Sequence, residues 1–233
     1  MIDIHCHLLY GVDDGPETIE ESIAMLEEAE SQGVTDIILT PHYRRGMFKY
    51  DKEQILKNKK ELDKYAQEIG IKLHLGTEYH VNGDILEHLE NGRCLSLADS
   101  EYVLTEYEYE TEYKYLFKMT QELLRHGYTP VIAHVERYRC LVDKPEHLDE
   151  LKEIGAMIQV NAGAIIGQDG WGIKQYCKKI LKSGWVDIVA SDSHDLKKRI
   201  CYMEKCYEYI EKKYGEKLAY RLMIKNPKKI IGE

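Results

Sequence analysis

The sequence has 233 residues, of which 43% are hydrophobic and 31% charged, and a net charge of -9. This is the balance of a soluble globular chain, and it excludes a disordered or collagen-like one. The acidic excess also argues against non-specific nucleic-acid binding, which needs a basic surface.

The length fits one domain spanning 1–233, since α/β barrels often run to about 250 residues as a unit. The longest uncharged stretch, 154–168, is too short and too rich in Gly, Gln and Asn to span a bilayer, so no membrane insertion is expected. The opening Met1-Ile-Asp-Ile-His-Cys-His lacks the basic and apolar regions of a signal peptide. Six cysteines (Cys6, Cys94, Cys140, Cys177, Cys201, Cys206) form no Cys-x-x-Cys pair, and are expected as reduced thiols of a cytoplasmic protein. Nothing in the sequence fixes an oligomeric state.

Short apolar runs alternate with amphipathic segments. A strand at 2–7 is followed by a helix at 17–31, with Pro16 in its first turn and Gly33 after its end. A strand at 36–42 precedes a helix at 53–69. A strand at 72–79 precedes a short helix at 84–91. Strands at 102–108, 130–136, 157–162 and 186–192 are followed by helices at 112–126, 146–154, 173–183 and 199–213. Alternating β and α implies a parallel sheet with helices outside. Seven such strands predict a small, closed or nearly closed α/β barrel, with an open doubly wound sheet as the alternative.

Polar residues gather where these strands end. His5 and His7, Glu78 and His80, Glu106 and Glu108, His134 and Glu136, and Asp192 and His194 are each spaced i, i+2, and His42 ends the second strand. Such pairs face one way on a strand, and this end is where parallel barrels place their active sites. Buried Asp, Glu and His at such density call for divalent cations, and a mixed imidazole and carboxylate set suits Mn, Fe or Zn. Cys6, between two such histidines, should point into the packing instead. The Gly11-Val-Asp-Asp-Gly-Pro16 loop offers a further carboxylate, Asp13 or Asp14, without choosing between them. Arg44, Arg45, Arg137 and Arg199 stand near the ligand ends, and Arg suits bidentate grip of phosphate. No cysteine has an arginine six positions on, so cysteine-dependent phosphatase chemistry is absent. There is also no P-loop and no Gly-x-Ser-x-Gly elbow.

In order, the His-x-His start, His42, Glu78, His134 and Asp192-x-His194 match the metal motifs of the PHP (polymerase and histidinol phosphatase) superfamily. Val12-Asp-Asp-Gly-Pro, Gly46-Met-Phe, Val131-Ile-Ala-His-Val-Glu-Arg-Tyr, Gln159-Val-Asn, Ala190-Ser-Asp-Ser-His and Asn226-Pro-Lys-Lys-Ile narrow the match. The chain resembles bacterial PHP-type protein-tyrosine phosphatases of the CpsB/YwqE type, from capsule and exopolysaccharide loci, from residue 1 to about residue 230. The resemblance implies a distorted (β/α)7 TIM-like barrel with three divalent ions, manganese foremost. By position, His5, His7, Glu78 and Asp192 would hold one ion. Glu78 would bridge to a second with Glu106 and His134. Asp14, His42 and His194 would hold the third. Arg137 and Arg199 match the phosphate-contacting arginines. His80, Glu108 and Glu136 fall outside that ligand pattern.

Four carboxylates against three divalent ions leave two positive charges before the arginines, enough to draw a phosphomonoester dianion into a pocket of an acidic protein. The implied reaction is metal-dependent hydrolysis of phosphotyrosine on a bacterial tyrosine kinase, controlling polysaccharide export. A histidinol-phosphatase-like small-molecule phosphatase and a non-catalytic metal-bound docking protein are the rival readings. Tyr79 and Tyr107 should point away from the centre by strand alternation, whereas Tyr43 and Tyr138 are left open as rim aromatics.

Overall fold

The computed structural model describes residues 1–233. Nine short strands pair in parallel: β1 (Ile2–Cys6), β2 (Asp36–Leu39), β3 (His42–Tyr43), β4 (Lys72–Leu75), β5 (Glu78–His80), β6 (Tyr102–Glu106), β7 (Thr129–Ile132), β8 (Met157–Asn161) and β9 (Ile188–Ala190). They form two sheets, ordered β1-β2-β4 and β3-β5-β6-β7-β8-β9, that build a half-barrel of α/β type. The connections carry α1 (Ile19–Ser31), α2 (Lys52–Glu68), α3 (Ile85–Glu90), α4 (Tyr113–Arg125), α5 (Arg139–Val142), α6 (His147–Glu153), α7 (Ala162–Ile166), α8 (Trp171–Lys182) and α9 (Met203–Tyr214). The chain ends in α10 (Glu216–Tyr220), a π-helical turn and α11 (Asn226–Ile230).

Alternation along the strands divides the apolar residues into two cores. Ile38, Leu104, Val131 and Ile188 pack with Ile2, Ile4 and Ile230 on the inner side. Ile37, Leu39, Val103, Ile132, Val160 and Val189 face out against the helices, joining Leu26, Leu62, Leu116 and Leu151. The C-terminal helices, which the periodicity did not reveal, deliver Ile230 to that inner core.

Two expected strands are each broken in the middle. The run 36–42 divides at Thr40-Pro41 into β2 and β3, and 72–79 divides at Gly76-Thr77 into β4 and β5. Pro41 has no amide hydrogen to give a ladder. At Gly76 the backbone passes so close to its neighbours that a Cβ would meet Leu97 Cδ2 at 2.7 Å and Ile38 Cγ2 at 3.2 Å. The run 130–136 stops at Ile132, because His134 takes a left-handed backbone with φ 33° and Val135–Arg137 turns as a 3-10 helix. The run 186–192 stops at Ala190, and Asp192 has φ 52°.

Helix positions follow the expected order with shifted ends. α1 starts two residues late, with Pro16 outside it. Thr18 is the N-cap, its side chain accepting from Glu21 N while the Glu21 side chain accepts from Thr18 N, a capping box contributing roughly 0.5–2 kcal/mol. The segment expected as a helix from 199 begins only at Met203, since the chain first folds back to let Arg199 O accept from His194 N at 2.8 Å.

β1 departs from regular register. Asp3 opposes Ile37 while Cys6 opposes Leu39, so one extra residue is accommodated between them. Such a bulge turns side chains from one face to the other. It allows Ile2 and Ile4 to join the inner core and Cys6 the outer one. The buried Asp3 carboxylate accepts from Ser191 N at 2.9 Å and His5 N at 3.4 Å, tying the bulge to the segment after β9. Beyond it, Asp192 N donates to His5 O and His7 N to Ser193 O, both at 2.9 Å. No helix is long and apolar enough to cross a membrane.

Gly76→Ala should destabilise the protein by about 1–3 kcal/mol through overpacking against Leu97 and Ile38, read as a lower denaturant midpoint with an unchanged slope.

Candidate metal centre

Every residue expected to bind metal reaches one place. Glu78, at the start of β5, is fully buried and lies at the centre. Its Oε1 is 2.8 Å from His134 Nε2 and 3.3 Å from His5 Nε2. Its Oε2 is 2.9 Å from His42 Nδ1 and 3.2 Å from His7 Nε2. Asp192 Oδ1 lies 3.4 Å from His5 Nε2, and Glu106 Oε2 lies 4.0 Å from His42 Nδ1. Asp14 Oδ1 is 3.3 Å from both His42 Nε2 and His194 Nε2. Four groups of donor atoms, each within 4.8 Å of one another, result: His7, Asp14, His42 and His194; His5, Glu78 and His134; His5, His7 and Asp192; and His42, Glu78 and Glu106.

The surroundings hold these rings from behind. His5 Nδ1 pairs with Gln159 Oε1 at 3.2 Å, His7 Nδ1 with Asp13 Oδ2 at 2.8 Å, His134 Nδ1 with the Tyr138 hydroxyl at 3.2 Å, and His194 Nδ1 with Asp192 O at 3.0 Å. In each case the Nε2 is left facing the centre. Anchored outer nitrogens fix ring tautomer and direction at metal sites. The inner nitrogens of His5 and His7 face each other at 3.1 Å, and Glu78 Oε2, His42 Nδ1 and His194 Nε2 are buried without a hydrogen-bond partner. Opposed and orphaned imidazole nitrogens around an orphaned carboxylate oxygen are the donor set of divalent cations, so the residues present fit bound metal.

The structure chooses between the two loop carboxylates. Asp13 turns back to accept from His42 N and Gly15 N while bracing His7. Asp14 points at His42 and His194. Gly15 makes this turn possible, because a Cβ there would sit 2.0 Å from His7 O.

Arg137, on the turn after His134, donates to Asp192 Oδ2 at 2.7 Å. Arg199 donates to Asp192 Oδ1 at 3.1 Å and Asp14 Oδ2 at 3.2 Å. Asn161 Nδ2 donates to Asp192 Oδ2 at 2.8 Å. Asp192 is therefore held on both oxygens, which stabilises its left-handed backbone; positions like this and His134 each cost about 1–3 kcal/mol when unsupported. Phe48 stacks on His42 with ring centres 5.1 Å apart.

The charges balance internally. Burial opposes ionisation of Glu78, but His5 and His42 outweigh it and hold the carboxyl well below its usual range. Burial likewise opposes protonation of His5, yet Glu78 and Asp192 push it up to about 9. His194 is carried down to about 4 by burial and by His7. Burial, aided by Asp3, pushes the Cys6 thiol far up; its Sγ rests 3.2 Å from Ser193 Oγ. A thiol so held is no nucleophile, as its outward position on β1 suggested. All six cysteines are unpaired.

Two cavities open over the centre. One of about 350 Å³ is walled by Asp14, His42, Arg44, Glu106, Arg137 and Arg199, with Met47 and Phe48 at its edge. A second, of about 450 Å³, shares Arg44, Glu106 and Arg137 and extends to Tyr109, Asp169 and Ile173.

Residues 1–232 match the family model for capsular polysaccharide synthesis proteins, CpsB/CapC. The chain belongs to the CpsB/CapC family. It is 39% identical to the tyrosine-protein phosphatase CpsB of Streptococcus pneumoniae, over 99% of this chain and 98% of that protein. It is 34% identical to the tyrosine-protein phosphatase YwqE of Bacillus subtilis, over 95% and 88% of the two chains. A solved structure from work on YwqE and CpsB, described there as metal-dependent tyrosine phosphatases, superposes with a TM-score of 0.93 at 32% identity, covering 99% of this chain and 94% of that one. The organophosphorus hydrolase of Deinococcus radiodurans, 11% identical with a TM-score of 0.66, shares the fold alone.

Within this CpsB/CapC chain, sequence reasoning passed over the residues behind the ligands. Gln159 and Asn161 sit two apart on β8, the same parity that singled out the acidic pairs, but their amides carried no metal signal. Of the two aromatics left open, Tyr138 lines the larger cavity but is fully buried against His134, and Tyr43 stacks on Tyr79 at 4.9 Å. Tyr79 and Tyr107 do lie in the outer core. Glu136 is buried and accepts from Asn161 N at 2.9 Å.

Asp13→Ala, which removes the brace behind His7, should weaken metal affinity about 10–100-fold without unfolding the protein, as read by metal titration with circular dichroism. In chelator-treated protein the raised pKa of His5 makes its stabilising contribution complete below about pH 6.5, and that contribution should be lost as pH rises through about 9. Denaturant midpoints at pH 7 and pH 10 test this.

Proposed function

We propose that this chain is a metal-dependent protein-tyrosine phosphatase that removes phosphate from tyrosine-phosphorylated bacterial kinases in the control of capsule or exopolysaccharide synthesis. The observation that carries the reading is the buried Glu78, ringed by four imidazoles with three of their outer nitrogens anchored, beneath a cavity walled by Arg137 and Arg199. The tyrosine-phosphatase names of relatives that align along nearly the whole chain support it. In this reading His5, His7, Glu78 and Asp192 hold one ion, Glu78, Glu106 and His134 a second, and Asp14, His42 and His194 a third. Manganese is the favoured metal, with iron or zinc as alternatives. The whole chain, 1–233, acts as one domain, and the protein works in the cytoplasm. Counting β2 with β3 and β4 with β5 as single positions makes the sheet a distorted (β/α)7 barrel. The contact of Cys6 with Ser193 joins its first and last positions.

Divalent ions bound here would supply positive charge to the phosphate oxygens and acidify a coordinated water. The chain's own residues then do the rest. Arg137 and Arg199 present guanidinium donors to the phosphoryl group, and charge developing on its oxygens is met by donors fixed before the reaction begins. Asp192 and Asp14 hold those two guanidiniums in place. A phenolate leaving group needs less protonation than an alkoxide. Apolar Tyr109 and Ile173 give the second cavity walls suited to an aryl group.

The test is phosphate release from a phosphotyrosine peptide by chelator-stripped protein with and without added manganese, iron or zinc, and with histidinol phosphate as a parallel substrate. Turnover should require metal, survive thiol alkylation and favour the peptide. His5→Ala and Asp192→Ala should lower it roughly 10²–10⁴-fold in folded protein. Absence of turnover with any of the three metals, in protein that binds them, overturns the reading.

A further inference from the structure

Among the inward-facing groups outside the ligand set, Glu136 has a structural task at the end of β8. His80 and Glu108 have none so far, and they form a chain. His80 Nδ1 lies 3.1 Å from Glu106 Oε2, and His80 Nε2 lies 3.1 Å from Glu108 Oε1. The same Glu108 oxygen accepts from Arg44 Nη2 at 2.9 Å. One end of the chain is therefore a metal-ligand carboxylate, and the other is a guanidinium two residues beyond His42.

Arg44 lines both cavities over the centre, together with Arg137 and Glu106. In the smaller cavity Arg199 completes a set of three guanidiniums. Arg137 and Arg199 are bonded to Asp192 and Asp14, carboxylates of the centre itself. Arg44 is bonded to Glu108, whose side chain is 64% exposed and lies outside the ligand set. A guanidinium has five donors in a rigid fork, and this pair with Glu108 engages only one end of it. Three cations converging on one small cavity repel each other, and a dianion relieves that repulsion. We propose that Arg44 is a third phosphate-binding arginine, positioned over the metal centre by Glu108 and His80, so that the substrate phosphoryl group is gripped by Arg44, Arg137 and Arg199 together. The assignment rests on the phosphomonoesterase reading of the site.

Glu108 and His80 are positioning residues in this arrangement. His80 spaces Glu108 from Glu106, so the direction of Arg44 is set from the same carboxylate that would hold a metal ion. Phosphate binding at equilibrium is the readout, because it does not depend on turnover. Inorganic phosphate is titrated calorimetrically into manganese-loaded protein, with KM and kcat on a phosphotyrosine peptide measured alongside. Arg44→Ala is expected to weaken phosphate binding about tenfold or more, as for loss of a hydrogen bond between charged partners, and to raise KM more than it lowers kcat. Arg44→Lys should recover part of the loss. Glu108→Gln should weaken phosphate binding by a smaller factor in the wild-type background and by none in the Arg44→Ala background, since it acts through Arg44. Phosphate affinity unchanged in Arg44→Ala, or losses that multiply in the double variant, overturns the proposal. If wild-type protein turns over the peptide while Arg44→Ala matches it in KM and phosphate affinity, the arginine assignment alone falls. If the expected phosphate losses appear but no protein turns over peptide, the assignment stands and the tyrosine-phosphatase reading falls.

Discussion

A carboxylate with no access to water organises this protein. Glu78 could not stay ionised in an apolar interior, and its two oxygens are met instead by His5, His134, His7 and His42. Those four rings come from three places in the chain: His5 and His7 from the bulged first strand and its end, His42 from the short strand after Pro41, and His134 from the left-handed turn after β7. The departures from regular barrel geometry are therefore concentrated where imidazoles must converge on one group. The lower part of the half-barrel, filled by Ile38, Leu104, Val131 and Ile188, needs no such irregularity.

Much of this was legible because strand alternation leaves a mark in sequence. His5 with His7 and Glu106 with Glu108 announce a polar face at strand ends, and the structure assembles them. The longer helices were legible from their apolar spacing to within a few residues, whereas the short α5, α7, α10 and α11 were not. What stayed hidden has a common physical origin: hydrogen bonds between residues distant in the chain. Asp13 and Asp14 are adjacent and chemically alike, and only the approach of Gly15 to His7 O separates their roles. Gln159 braces His5 across 154 positions of sequence, and no local pattern encodes that. The pair His134 and Glu136 has the right spacing for a shared strand face, yet the backbone at His134 leaves the strand, so the spacing carried a different meaning there.

Several of the groups that brace the ligands from behind are neutral hydrogen-bonding partners. Gln159, Asn161 and the Tyr138 hydroxyl are neutral, while the Asp13 carboxylate is held by His7 Nδ1 and by the backbone amides of Gly15 and His42. Net positive charge contributed by cations at the centre would be only partly offset from behind, by Asp3, Asp13 and Glu136. It would be offered toward the open side, where the arginines stand and where a phosphate dianion must enter. An acidic protein can in this way present a locally positive pocket.

The join between the two ends of the chain has a consequence for biosynthesis. β1 emerges from the ribosome first, but the amides and carbonyls it must bond, at Ser191, Asp192 and Ser193, emerge some 185 residues later. Until then β1 is paired only on its β2 side and its other edge has no partner, and contacts of such long sequence separation form late in folding. A nascent chain stopped before Asp192 lacks part of every cluster that includes His194 or Asp192. The two clusters that draw on His194 or Asp192 are thereby completed only at the end of translation, whereas the two built on Glu78 need no residue beyond His134, so the finished protein gains its full donor set in two stages.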